Sequence, residues 1–235
     1  MTFVPAYLGT GPDELLERAR ALEEMASPCR LCPRRCAAMR GEGETGYCRT
    51  GFAPMVSSVH PHFGEEAPLV GRGGSGTVFL TNCNLGCIFC QNYDISHLGR
   101  GQEVTVQEMA SAMLTLQRMG CHNINFVTPT HQTHAIVAGV ALAAEAGLRI
   151  PLVYNTGGYD SLDALRLLDG VFDIYMPDMK FSHGPIASQL ADAPDYPQVV
   201  REAVREMHRQ VGDLQVDESG VATRGLLVRH LVLPH

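Results

Sequence analysis

Three cysteines, Cys83, Cys87 and Cys90, fall within eight positions of the stretch TNCNLGCIFCQNYDIS, residues 81–96. Three residues separate the first pair and two the second. Thiolates are soft ligands that suit zinc or an iron–sulfur cluster. A closed structural zinc site or a simple cluster takes four protein ligands. Three ligands leave one coordination position open, and metals do chemistry at open positions. In a four-iron cubane held this way, one iron stays available for a small molecule.

A second group has a closed count. Cys29, Cys32 and Cys36 are spaced two and then three residues apart, with eleven residues between Cys36 and Cys48. Pro33 and the turn GEGETG let the chain wrap around one centre, a structural zinc or a second 4Fe–4S cluster. Cys121 stands alone before an apolar run and reads as a small buried hydrophobe.

The elements around these groups set the frame. The chain has 235 residues, 45% hydrophobic and 18% charged, enough for one large domain or a domain with an appendage. With a net charge of −7 and no long basic run, nothing predicts nucleic-acid binding by electrostatics alone, and no nucleic-acid partner is expected. No apolar stretch is long enough for a membrane span, and MTFVPAYLGTGPDELLERAR is not a signal peptide. A cytosolic chain is expected, in which eight cysteines do not make a disulfide framework.

A helix is predicted over 12–26, then turns around the four cysteines over 28–50 and a mostly irregular connector over 51–75. Within that connector, HPHFGEEAPLVG (60–71) reads as a surface segment, although His60, His62, Glu65 and Glu66 could cover a site. Strands are predicted at 77–81, 123–128, 150–155, 171–177 and 225–233. Helices are predicted at 105–119, opened by a Thr105–Glu108 capping box, at 134–146 and at 161–168, with another from Tyr196 to Gly212 capped by Asp195 with Gln198 as its partner. Alternating apolar strands and helices mean a parallel sheet covered by helices, either open and doubly wound or closed as a barrel. GRGGSG (71–76) precedes a strand, so it is a flexible entry rather than a phosphate loop. The three-cysteine loop follows the first parallel strand, the end where such folds gather their chemistry.

With Phe89 just before the last cysteine, that loop resembles the radical S-adenosylmethionine (SAM) superfamily. CNLGCIFCQNYDIS, NINFVTPTH, VYNTGGYD, DIYMPDMK, EMHRQVGDL and GLLVRHLVLP extend the likeness from about residue 29 to the end. Together they resemble an uncharacterised subgroup similar to the activating enzyme of pyruvate formate-lyase. The resemblance implies a partial (β/α)6 TIM-like barrel over 76–235, with about five βα units and the last one lacking. Residues 1–75 then form an extension carrying a cysteine-rich metal knuckle. It implies an oxidoreductase in which a 4Fe–4S cluster on Cys83, Cys87 and Cys90 reductively cleaves SAM. The resulting 5′-deoxyadenosyl radical abstracts hydrogen from an unknown substrate, a small molecule or a protein glycine. An electron donor such as flavodoxin or ferredoxin is implied as a partner. The alternatives are an iron–sulfur electron carrier and a metal-stabilised binding module.

Further positions follow from the same likeness. Asp178 and Lys180 are expected to help hold SAM or a nearby cation, with Phe89, Asn155 and Thr156 beside them. Asn155 stands where the activases often carry aspartate. Thr128, Pro129 and Thr130 stand where many members carry Gly-Gly-Glu, leaving Thr130 or a neighbour to substitute. His131 and His134 read as surface or cap residues rather than metal ligands. Arg229 and Pro234 resemble the family's fifth-strand pattern, with His235 in place of glycine. The activases place extra clusters after the first motif, so the earlier four-cysteine group reads as a structural metal site.

Overall fold

The computed structural model describes residues 3–232. Two helices open it, α1 (Ala6–Thr10) and α2 (Pro12–Ala26), before the cysteine-rich turns. Then come β1 (Met55–His62), α3 (Ala67–Val70), β2 (Ser75–Leu80), α4 (Tyr93–Ser96), β3 (Gln102–Glu103) and α5 (Val106–Arg118). Next are β4 (Ile124–Val127), α6 (Thr133–Glu145), β5 (Leu152–Thr156), α7 (Leu162–Leu167) and β6 (Ile174–Pro177). The chain continues through α8 (Gly184–Ala191), α9 (Tyr196–Val211), β7 (Gln215–Val216) and β8 (Ala222–Leu226).

The strands form one eight-stranded mixed sheet in the order β3-β1-β2-β4-β5-β6-β8-β7. Its centre, β2-β4-β5-β6-β8, is parallel. β1, β3 and β7 are antiparallel additions. Strand side chains alternate between faces, and here the two faces have different partners. Val78, Leu80, Ile124, Phe126, Leu152, Tyr154 and Tyr175 share one core with residues of α2, α5, α6, α7 and α9. On the opposite face Val153, Ile174 and Met176 cluster with Leu69 of α3 and with Ala222. Helices therefore cover one face, and a short piece of the connector fills the other.

Several expectations change in consequence. The connector 51–75 is not mostly irregular: it holds the eight-residue β1 and the helix α3. β1 hides from a pattern search because only Val56 in it is buried and Pro61 interrupts it. As an outer strand it tolerates that proline. Asp195 makes no side-chain cap at α9. Its carboxylate accepts from Tyr159 OH at 2.7 Å, and Gln198 donates to Glu202 at 3.1 Å, so that capping box does not form. The Thr105–Glu108 box does form, in both directions. The helix α8 was not predicted. The last predicted strand, 225–233, begins earlier and pairs regularly only through Leu226; Leu233, Pro234 and His235 lie outside the described residues.

His131 and His134 are buried, not on the surface. Their Nε2 atoms lie 2.9 Å from the carbonyls of Thr81 and Phe52, which ties α6 to the chain on either side of β1 and β2. Burial pushes both imidazoles down to about 4, with the Arg40 guanidinium adding to the effect. Asp173 behaves oppositely. It accepts from the backbone N–H groups of Ala6, at 2.7 Å, and Leu152, at 2.9 Å, and burial pushes its carboxyl up to about 7. Between pH 7 and pH 5 the unfolded chain binds protons at the two histidines that the folded chain refuses, so acidification destabilises. Over the same window the folded chain protonates Asp173 while the unfolded chain does not, which stabilises. Asp173→Asn removes only the second effect. Its loss of stability from pH 7 to pH 5, read by urea unfolding, is expected to exceed that of the wild type by about 2 kcal/mol.

Candidate functional site

A cavity of about 740 Å³ opens at the carboxyl ends of the parallel strands. Cys83, Cys87, Cys90 and Phe89 line it together with Thr128, Asn155, Thr156, Asp178, Lys180 and Arg229. Apart from Thr130, the positions expected at the open metal site therefore share one space.

The three-cysteine loop is held by its own backbone and by two neighbours. Asn82 starts it in a left-handed conformation, φ 70°. Leu85 drops into an apolar cluster with Cys87, Tyr159, Phe181, Ala187, Ala191, Tyr196 and Val200. Gly86 and Ile88 donate backbone N–H bonds to Ala191 and Leu190 at the end of α8, at 3.1 and 3.0 Å. Phe89 meets Phe181 edge-on, with ring centres 6.0 Å apart. The sulfurs have hydrogen-bonding neighbours: Leu85 N–H reaches Cys83 Sγ at 3.3 Å, and Cys90 Sγ lies 3.2 Å from Ser96 Oγ. Burial pushes the Cys83 thiol up to about 12 and the Cys87 thiol up to about 11, while the Lys180 charge opposes both.

Asp178 and Lys180 form a sheltered pair, Nζ to Oδ2 at 2.6 Å, with side-chain exposures of 21% and 15%. Arg229 completes the group. Its Nε donates to Asp178 at 2.9 Å, Nη2 to Asn155 Oδ1 at 2.8 Å and Nη1 to Glu65 at 3.0 Å. The other Glu65 oxygen accepts from Asn125 and Asn155 at 2.9 and 3.0 Å.

Glu65 is the residue whose role the preferred surface reading missed, although it was named with His60, His62 and Glu66 as a possible cover. It lies in the connector taken for a surface segment, yet its side chain is only 9% exposed. The only signal was a pair of glutamates beside two histidines, which is common on surfaces. Tyr196 was also missed. From α9 its hydroxyl donates toward the carbonyls of Gly157 and Asp178, at 2.8 and 2.6 Å, and so joins the ends of β5 and β6.

One expected position points elsewhere. Thr130 bonds Asp160 and Thr156, at 2.8 and 3.1 Å, and lies away from the cavity lining. Thr128 lines the cavity instead, with a left-handed backbone, φ 63°, that a β-branched residue rarely adopts. Asp160 is buried beneath the cavity and accepts from the hydroxyls of Thr130, Tyr154 and Thr156; desolvation raises its pKa.

In the four-cysteine group, Cys29, Cys32 and Cys48 are buried and Cys36 is exposed. Burial raises the pKa of the Cys29 thiol and pushes the Cys32 thiol up to about 12, with the backbone N–H groups of Leu31 and Arg34 opposing the rise. A Cβ placed on Gly46 would overlap the Cys36 sulfur. Among the described residues, no three His, Cys, Asp or Glu side chains converge on a point as ligands of a single ion. A cubane does not require that convergence, since each thiolate holds a different iron. The donor set fits thiolate chemistry: seven cysteines in two groups, with the Leu85 backbone amide on the Cys83 sulfur.

Comparison with known proteins bears on the loop and its strands. Residues 77–184 match the model of the Radical SAM superfamily. They form a radical SAM domain. The chain is also 30% identical, over 216 residues, to an uncharacterised protein of Methanocaldococcus jannaschii. The match covers 88% of this chain and 57% of that relative, so the chain spans little more than half of the relative's length. Among the described residues no helix is long and apolar enough to cross a membrane.

The radical SAM domain thus meets the N-terminal connector at Glu65. Glu65→Ala leaves one guanidinium arm and two amide groups without their acceptor. We expect a loss of about 2–4 kcal/mol in urea unfolding, with Glu65→Gln recovering part of it. Gly46→Ala is expected to displace Cys36 and to lower metal content per chain after anaerobic reconstitution, while far-UV circular dichroism stays unchanged.

Proposed function

We propose that the protein is a radical SAM enzyme. One observation supports the reading: Cys83, Cys87 and Cys90 line the same cavity as Asp178, Lys180 and Arg229. We assign the three cysteines to a 4Fe–4S cluster with one iron left for SAM. When bound, the cluster supplies an electron that cleaves SAM to a 5′-deoxyadenosyl radical. The chain's own groups then bind and orient. Lys180 and Arg229 are the cations nearest the SAM carboxylate in this reading. Asp178 is the acceptor that aligns both. Phe89 and Leu85 exclude water beside the cysteines. Asn155 and Thr156 act one step back, the former holding Arg229 and Glu65, the latter held by Asp160.

We read the sheet, with helices on one face and the connector on the other, as a partial (β/α)6 barrel preceded by an N-terminal extension over 1–75. The four cysteines Cys29, Cys32, Cys36 and Cys48 are read as a second metal centre, zinc or iron–sulfur, on the basis of their closed count and spacing. The substrate that gives up its hydrogen is unassigned beyond two classes, a small molecule or a protein glycyl site of the kind that the pyruvate formate-lyase activase serves. A flavodoxin- or ferredoxin-type electron donor and a cytosolic setting complete the reading.

The test is low-temperature electron paramagnetic resonance of anaerobically reconstituted, reduced protein with and without SAM, together with assay of 5′-deoxyadenosine. A cluster signal that changes on adding SAM, with cleavage abolished in Cys87→Ala, is expected. An unchanged signal, or cleavage that survives Cys87→Ala, would sink the assignment.

A further inference from the structure

The two cysteine groups are 35 residues apart at their nearest members, Cys48 and Cys83, yet they share one guanidinium. Arg34 lies between Cys32 and Cys36. Its Nε donates to the carbonyl of Asn84, the neighbour of Cys83, at 3.0 Å. The guanidinium stacks over Tyr47, 3.7 Å from the ring centre, with Tyr159 5.3 Å away on another side. Asn84 is itself buried and donates to the Tyr159 carbonyl at 2.6 Å.

The charge of this guanidinium is poorly matched. Nη1 has the largely exposed Asp192 at 3.8 Å. Nη2 is buried and has no partner among the described residues. A buried N–H of a charged group left unpaired costs a few kcal/mol, so an anion is expected close by. A metal held by four thiolates is a net anion, and Cys32 is two residues away.

A second set of bonds runs in parallel. Asn82, which opens the three-cysteine loop, donates to Thr50 Oγ1 at 3.0 Å, and Thr50 lies two residues past Cys48. Arg49 Nη2 donates to the carbonyl of Ser96 at 3.0 Å, and Ser96 touches Cys90.

We propose that Arg34 is a positioning residue that couples the two centres: filling the four-cysteine site supplies the counter-charge that locks Arg34, and Arg34 then fixes the three-cysteine loop in its working shape. This rests on the reading of Cys29, Cys32, Cys36 and Cys48 as a metal centre. The knuckle is then a control element for the radical site as well as a structural one, and losing its metal loosens the loop that holds the catalytic cluster.

The test uses the full chain, reconstituted anaerobically with iron, sulfide and zinc. Amide hydrogen exchange of residues 82–98 is followed together with metal content and the SAM dependence of the cluster signal. Arg34→Gln is expected to raise exchange in 82–98 by about tenfold, the effect of losing one hydrogen bond to a charged group, while residues 106–145 keep their protection. It should also require about tenfold more SAM for the same spectral change. Arg34→Lys, which keeps the charge but not the fork, is expected to fall between, and it carries the comparison if the glutamine variant does not fold. The double variant Cys32→Ser, Cys48→Ser should lose the knuckle metal and loosen 82–98 with Arg34 in place. Unchanged exchange in the Arg34 variants, or in the double variant after its knuckle metal is gone, overturns the coupling. So does a wild type that binds no metal beyond the three-cysteine cluster. A wild type whose loop answers to Arg34 and to the knuckle metal, but whose cluster ignores SAM, supports the coupling and sinks the radical SAM reading instead.

Discussion

The carboxyl end of the sheet is organised around the fork of Arg229. One planar group reaches Asn155 at the end of β5, Asp178 just past β6 and Glu65 in the connector before β2. Its five donors lie in a fixed plane, so these partners must hold their relative positions for all the bonds to form at once. Glu65 adds Asn125 from β4. Three neighbouring parallel strands, the stretch after β8 and the N-terminal connector are thereby tied at one point. A carboxylate as sheltered as Glu65 would be costly alone, and the donors that satisfy it are the groups that border the cavity.

This arrangement explains why a cavity exists at the carboxyl end of the sheet. The face of the sheet away from the helices is filled lower down by Leu69 against Val153, Ile174 and Met176. Above them the residues on that face become polar: Asn125, Asn155, Glu65 and Arg229. Apolar packing removes water and closes space. A charged network with fixed geometry holds its neighbours apart and leaves a polar wall facing the cysteines. The connector therefore does two tasks along a few residues, filling with Leu69 and bordering the site with Glu65.

On the other wall, the cysteine loop owes its shape to contacts outside itself. Leu85 anchors it to the apolar cluster under α8 and α9, and backbone bonds join it to the end of α8. The knuckle grips its opposite side through Arg34, Thr50 and Arg49. A loop with three asparagines and a glycine has little conformational preference of its own, so these attachments bear its ordering cost.

How much of this was legible depended on whether the signal was local. Spacing alone exposed both cysteine groups, because metal ligands on one turn must sit two or three residues apart. Hydrophobic periodicity placed α2, α5 and α6, and the four strands β2, β4, β5 and β6, since each buries a regular face. The Thr105–Glu108 box was visible because its partners are three residues apart. β1 was invisible because an outer strand with one buried residue carries no alternation. Asp195 looked like a cap and instead met Tyr159, 36 residues away. His131 and His134 looked like surface residues because nothing nearby reveals that Thr81 and Phe52 cover them. The amino-acid sequence by itself determined the donor atoms, their grouping and the strand–helix rhythm, all of which follow from residue type and short spacing. Only the tertiary structure decided that Glu65 borders the cavity, that Arg34 joins the two cysteine groups and that the helices share one face. Those facts depend on which distant segments satisfy each buried charge and each apolar surface, and no short stretch of chain contains that information.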